Sequence, residues 1–219
     1  MNMLLAGLSF VNLIGRVPGG ISQGLIWGIM ALGVFITFRV LDIADLSVDG
    51  SFATGGAVAV MLSLAGVPTW VATICALLAG IIAGIITGLL HAKLGIPAIL
   101  AGILTQFALY SINLRIMGMA ANQSINPAMY KLVISMRNIP IAILEGVIFA
   151  AIIIAILYWY FGTEQGSALR ATGNNGEMST ALGINTSNMK IIGLAISNGV
   201  VAFAGGLMVR DEVGAVRDV

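Results

Sequence analysis

The chain has 219 residues, of which 59% are hydrophobic and only 9% charged, with a net charge of +1. Soluble domains carry about 25% charged residues, so a water-soluble globule of this size could not cover its surface, and the near-zero charge leaves nucleic-acid binding no electrostatic footprint. The mean hydropathy of +1.05 points instead to an integral membrane protein.

Residues 1–14 are apolar but lack the basic start and small-residue cleavage site of a signal peptide, so they read as retained mature sequence. They are too short to span alone. Gly15, Pro18 and the Gly19-Gly20 pair set them apart from the first long apolar run, which predicts a short N-terminal membrane-surface helix. A crossing needs about 20 apolar residues, because ~30 Å of hydrocarbon is covered at ~1.5 Å per helical residue. Residues 19–38 supply the first span. Residues 50–90 are uncharged over about twice the length of a crossing, and Val67-Pro68 breaks them into spans at 50–66 and 69–90. Further spans are expected at 97–118, with Arg115 near one end, at 140–161, with Glu145 near its start, and at 190–208. The fold class is therefore all-α: a polytopic bundle of about six transmembrane helices in one domain, 1–219.

In the third span Ala76, Gly80, Gly84 and Gly88 recur at four-residue spacing and so share one helix face. Lipid gives no hydrophobic drive for helix association, so such a face marks close backbone packing. No internal repeat is visible, which suggests that any symmetry comes from a second copy of the chain. With 162–190 taken as cytoplasmic, Arg39, Lys93, Arg170 and Lys190 lie inside and Arg16, Arg115, Lys131 and Arg137 outside. The positive-inside rule leaves that count tied.

Two polar stretches stand out. Asp42, Asp45 and Asp49 fall between the first two spans, with Gly50, Gly55 and Gly56 just after them. This stretch reads either as a solvated loop in which Asp49 or Ser51 caps the next helix, or as a structured hinge lining a pathway. Asp42 and Asp45 are spaced for one helical face, and no wider oxygen-rich cluster suggests a cation site. In the second stretch, 162–189, Asn174 and Glu177 have capping-box spacing and Gly183 suits a helix C-terminus. One two-turn helix carrying Met178, Ala181 and Leu182 is expected there. It lacks the length and basic flanks of a lipid-surface helix, so docking into a groove on a partner protein fits better.

The segments Gln23–Gly33, Asp45–Phe52, and Ala168–Gly173 leading into Ala181–Asn185 resemble permease subunits of ATP-binding cassette importers of the branched-chain amino acid and ribose class. The tryptophan/tyrosine-type members are the most similar, and the resemblance covers about residues 19–207. It implies that 162–189 is a cytoplasmic coupling loop seated in the ATP-binding subunit, with Arg170, Gly173, Glu177, Met178, Ala181, Leu182 and Gly183 as coupling residues. It further implies a homodimer in the cell membrane, with two ATP-binding subunits that hold ATP and Mg, and an extracytoplasmic substrate-binding protein that delivers the solute. Family members continue for further helices after Asn198–Gly206, so the polar tail from Arg210 is read as a shortened C-terminus.

No covalent chemistry and no cofactor or metal is expected in this chain. One histidine and one cysteine cannot build a metal or disulfide site alone. No phosphate-loop, Gly-x-Ser-x-Gly or His-Glu-x-x-His motif occurs either. Within the bilayer Gln106 and Asn198 are candidates for pathway lining or for interhelical hydrogen bonds. Arg115 and Glu145 could snorkel, pair, or contact an amino-acid substrate. The alternatives to the importer are an ATP-independent secondary transporter or channel, coupled through Asp42, Asp45 and Asp49, and a purely structural membrane subunit.

Overall fold

The computed structural model describes the backbone of residues 10–119 and 139–215, and the side chains of 17–119, 140 and 142–208. The described residues form helices joined by turns. Helix α1 (Phe10–Phe35) runs into one π-helical turn, Ile36–Val40. Next come α2 (Val48–Leu64), α3 (Thr69–Ala92), α4 (Ala98–Ile116), α5 (Ile139–Phe161), α6 (Glu164–Asn174), α7 (Gly176–Ala181) and α8 (Thr186–Ala215). Five of them (α1, α3, α4, α5 and α8) are long and apolar enough to cross a membrane, and α2 is a shorter apolar helix of 17 residues. The chain is a multi-pass membrane protein.

One expectation changes and one holds. The N-terminal surface helix is not set apart at Gly15 and Pro18: α1 is continuous from Phe10 through Pro18 to Phe35, while residues 1–9 lie outside the described residues. Proline removes one backbone donor, but a long apolar helix within the bilayer tolerates that loss where neighbours re-satisfy the freed group. The break at Pro68 falls as expected, between Leu64 and Thr69, with Gly66 in the left-handed region at φ +80°.

The bundle is built around α8. Of its apolar stretch Thr186–Met208, 78% is buried, against 17% for α5, so α8 is the axis and α5 lies at the margin. Glycines make this possible. A Cβ on Gly80 would collide with the Asn198 carbonyl oxygen, one on Gly84 with that of Leu194, and one on Gly88 would lie 2.8 Å from the Ile191 Cα. The numbers descend on α8 as they rise on α3, so the two helices are antiparallel, with the small-residue face of α3 turned to α8 and Ala76 fully buried. On the other side Gly55 of α2 meets the Ala202 carbonyl, and Gly205 of α8 meets that of Phe52. Ile26 and Ile29 of α1 complete the core with Val200, Ala204 and Leu207 of α8 and Ala142 of α5.

Such contacts leave no room for side chains, whereas Gly24 on α1 faces open space. Overpacking a fitted interface costs about 1–3 kcal/mol or more. Gly84→Leu should therefore lower the melting temperature in detergent clearly, while Gly24→Leu stays near wild type. Equal shifts from the two would contradict the α3–α8 packing.

Candidate functional site

Between α1 and α2 the chain leaves the helix while still inside the bundle. The π turn hands over through Leu41 N–H to the Ile36 carbonyl at 3.1 Å and Ile43 N–H to that of Thr37 at 2.9 Å. Asp42 then adopts φ +54°, a left-handed conformation that aspartate tolerates better than most residues. Leu41 packs on Gly193, and Ser47 reaches Asn198, which lies midway along the apolar stretch of α8. Residues 41–47 thus approach the depth of the bilayer centre without regular helix. Non-helical backbone there is tolerated only where protein or a water-filled cavity satisfies it.

Asp45 and Asn198 supply that satisfaction. One Asp45 oxygen accepts from the Ser47 N–H at 2.8 Å and the Ser47 hydroxyl at 2.6 Å. Its other oxygen accepts from Asn198 Nδ2 at 2.7 Å. Asn198 Nδ2 also donates to the Leu194 carbonyl at 3.1 Å, and its Oδ1 accepts from the Ser51 hydroxyl at 2.5 Å. Ser47 Oγ stands 3.2 Å from Asn198 Oδ1, but its single proton goes to the shorter contact with Asp45. Two acceptors facing one end of the amide fix its orientation. Ser47, Ser51 and Asn198 are all fully buried. The helix start is therefore not capped by Asp49 or Ser51: Ser47 holds the cap position of α2 without a side-chain bond, Asp45 closes the turn before it, and Ser51 serves Asn198.

The acidic stretch divides three ways, because 41–47 is not helical and the one-face spacing of Asp42 and Asp45 does not apply. Asp45 belongs to the knot with Asn198. Asp49 and Gly50 turn to a cavity of about 420 Å³ between α2 and α4, lined also by Ala53, Gln106, Phe107, Tyr110 and Asn113. Asp42 lines a second cavity, of about 510 Å³, with His91, Thr172, Gly173, Gly176 and Lys190. His91 Nδ1 donates to the Ile96 carbonyl at 2.9 Å, which fixes its tautomer when the ring is neutral. Among the described residues no group of three His, Cys, Asp or Glu side chains is placed to hold a metal ion.

One polar atom beside the α2–α4 cavity is buried without a partner. Asn113 is only 7% exposed, yet its Oδ1 has no hydrogen-bond partner. Gln106 stands seven residues earlier on α4, two turns away on the same face, and the two aromatic rings fall between them. A Cβ on Gly50 would sit 3.2 Å from the Gln106 Cα, which places Asp49 at the Gln106 end. Asp49 is exposed, and it lies two residues beyond the Ser47 that touches Asn198. Arg115, exposed in the last turn of α4, and Glu145, on α5, do not line this cavity. No ion pair joins them among the described residues, and Glu145 Oε2 is buried without a partner. Sequence reading missed Ser47, Tyr110 and Asn113; the seven-residue spacing of Asn113 from Gln106 was the available signal.

At the other end of the bundle, 162–189 holds two helices rather than one. Thr163 caps α6, accepting from the Gly166 N–H at 3.3 Å. Arg170 donates to the Phe161 carbonyl at 2.9 Å and so ties α6 to the end of α5, while Gly173 lies against the Val40 carbonyl. These two residues fasten the loop to the bundle. Helix α7 is capped by Asn175, not Asn174, through a 3.0 Å bond from the Met178 N–H, because α6 runs on to Asn174. Glu177, Met178, Ala181 and Leu182 are all exposed, Met178 and Leu182 at 61% and 70%, and Gly183 ends the helix at φ +85°.

Residues 17–216 match the protein family described as branched-chain amino acid transport system / permease component. The chain is 40% identical over 189 residues to the tyrosine transport system permease protein of Clostridioides difficile (strain R20291), covering 86% of this chain and 62% of that protein. It is 33% identical over 187 residues to an uncharacterized protein of Rickettsia prowazekii (strain Madrid E), covering 85% and 65%. It thus spans somewhat under two thirds of the length of these curated relatives. No solved structure matches it. With the match running over most of its length, the chain belongs to the branched-chain amino acid transport permease family.

The knot makes a prediction by exchange. Asn198→Asp sets two carboxylates face to face, and Asp45→Asn sets two amide donors face to face; either should cost about 1–3 kcal/mol, the scale of an unsatisfied buried polar group. The double exchange restores a donor at 45 and an acceptor at 198, so it should recover at least half of the summed loss in melting temperature. Additive losses would contradict the pairing.

Proposed function

We propose that this member of the branched-chain amino acid transport permease family forms the membrane pathway of an ATP-driven importer for an amino acid, with the α2–α4 cavity as part of that pathway. The observation that carries the reading is Asp49: an exposed carboxylate beside the midpoint of α8. Ionisable side chains at that depth face a bundle interior or water rather than hydrocarbon, so the α2–α4 face borders a pathway. A second copy closes it from the other side, since one copy shows no internal repeat. The tyrosine transport system permease of C. difficile, with 40% identity, supports an amino acid as the solute.

The chain performs no hydrolysis. Helix α7 and the turn after it offer Met178 and Leu182, with Ala181 between them in sequence, to a groove of an ATP-binding subunit, which holds ATP and Mg. The fastening of α6 by Arg170 and Gly173 carries movement of that contact to Val40 and Phe161, and so to the π turn and α5. An external binding protein delivers the solute to the opposite face of the cell membrane. The division of Asp42, Asp45 and Asp49 among three surroundings weighs against a joint ion-coupling site.

Two outcomes are expected for the full-length protein reconstituted with its ATP-binding subunit. Ala181→Asp would place an unpaired charge in the docking groove, which is expensive, so the subunits should no longer co-purify although the permease inserts normally. Asp49→Ala should leave the complex assembled and reduce ATP-dependent uptake at least tenfold. Uptake driven by an ion gradient without ATP, or full uptake by the Asp49 variant, would contradict the proposal.

A further inference from the structure

We propose that the cavity beside the α6–α7 junction is a second binding site, on the ATP-binding side of the bundle, which takes an α-amino acid as its zwitterion and thereby slows further uptake. The inference rests on the reading of the chain as an amino-acid importer with 162–189 facing the cytoplasm, and adds to it a site that senses the imported product.

Several parts of the chain wall this cavity of about 510 Å³, a volume within the range of small-molecule sites. Thr172, Gly173 and Gly176 come from the junction of α6 and α7, and Asp42 from the non-helical stretch after the π turn. His91 and Lys190 come from the neighbouring ends of α3 and α8. Glycine contacts hold these parts together: Gly88 lies against Ile191, Leu41 packs on Gly193, and Gly173 lies against the Val40 carbonyl. Asp42 is thus one residue, and Lys190 about one helical turn, from the same packed contact of Leu41 on Gly193.

The polar ends of these side chains are unclaimed. His91 Nδ1 is engaged by the Ile96 carbonyl. Among the described residues, however, His91 Nε2, the Lys190 ammonium and the Asp42 carboxylate have no hydrogen bond or ion pair. Nor are they shut away: Asp42 is exposed and the other two are half-buried, whereas the polar atoms sealed without a partner belong to Ser22, Asn113, Glu145 and Tyr160. An ammonium and a carboxylate therefore border one cavity without meeting. A net anion there would gain from Lys190 and be repelled by Asp42, and a net cation the reverse; only a molecule carrying both charges is answered by both. The ligand's carboxylate goes to Lys190 and its ammonium to Asp42, with His91 Nε2, an acceptor in the neutral ring, as a further partner. Asp42 holds φ +54°, a departure of the kind kept at ligand contacts. A zwitterion bridging Asp42 and Lys190 beside Gly173 and Gly176 holds the 41–44 stretch and the α6–α7 junction in this one arrangement. The coupling movement proposed above passes through Gly173 to Val40, two residues before Asp42. A ligand that prefers one arrangement shifts the population toward it, and such couplings are typically about 5–150-fold.

The experiment uses the full-length permease with its ATP-binding subunit in proteoliposomes, with the external binding protein outside. ATP and Mg are trapped inside, so that only complexes with the ATP-binding face inward are driven. The amino acid taken up fastest from a labelled mixture of the standard amino acids serves as solute. Vesicles are then preloaded with that amino acid unlabelled, with the amine that lacks its carboxylate, or with the acid that lacks its amine. The initial uptake rate should fall at least fivefold with the amino acid inside, and less than twofold with either analogue. Asp42→Asn, which keeps a residue tolerant of the left-handed backbone, and Lys190→Gln should each bring the preloaded rate within twofold of the rate in vesicles holding ATP and Mg alone. Equal rates in preloaded and unloaded wild-type vesicles overturn the proposal without recourse to any variant, and leave the importer reading standing. Equal inhibition by the amine or the acid overturns it too, as does inhibition undiminished in both variants. If unloaded wild-type vesicles take up no amino acid, the importer reading falls and this inference with it.

Discussion

Inside a bilayer every backbone N–H and C=O must find its partner within the protein, and this chain abandons helical geometry at residues 41–47 near the centre of its own bundle. The four-residue knot of Asp45, Ser47, Ser51 and Asn198 is what permits it. Asp45 uses one oxygen to close the backbone before α2 and the other to hold α8. Because the knot fixes where α2 begins, it also fixes the depth of Asp49, two residues after Ser47. The position of that exposed carboxylate beside the cavity depends on this one buried connection.

The glycine contacts and the knot depend on each other. Asn198 offers its side chain to α2 and the preceding loop and its backbone carbonyl to Gly80 of α3. Close approach on the α3 side presses α8 against the loop, and the hydrogen bonds on the other side set its register. With only 9% of residues charged, the protein has few other means of specifying one arrangement of apolar helices, and interhelical polar bonds and small-residue faces are the devices available in lipid.

Much of this was legible in the sequence, for physical reasons that also mark where legibility stops. Hydropathy locates crossings because the bilayer fixes their length, and Pro68 marks a break because it cannot continue a helix. Small residues at 76, 80, 84 and 88 reveal a face but not its partner. Asp45 could be noticed as a charge between spans, yet its partner lies 153 residues away, and no local pattern encodes that distance. Pro18 looked like a boundary because its cost in water is high; within a long apolar helix the chain runs through it. Helix α6 was not anticipated: glycine has low helix propensity, and what Gly166 and Gly173 provide, close contact with Tyr160 and Val40, appears only in the fold. Asn174 and Asn175 are chemically alike, and only the extended backbone at Asn175 makes it the cap.

A solute pathway along the α2–α4 face requires that this face border water rather than lipid. In a background carrying Cys75→Ala, cysteines placed one at a time at Ala53 and Phe107, both exposed in the cavity, are compared with one at Ile82, exposed on α3 at 59%. The full-length transporter in membranes is treated with a charged, membrane-impermeant thiol reagent. Labelling is expected at 53 and 107, at rates that change during ATP turnover, and none at 82. Labelling of all three only by a lipid-soluble reagent would show that the cavity faces hydrocarbon and is no solute pathway.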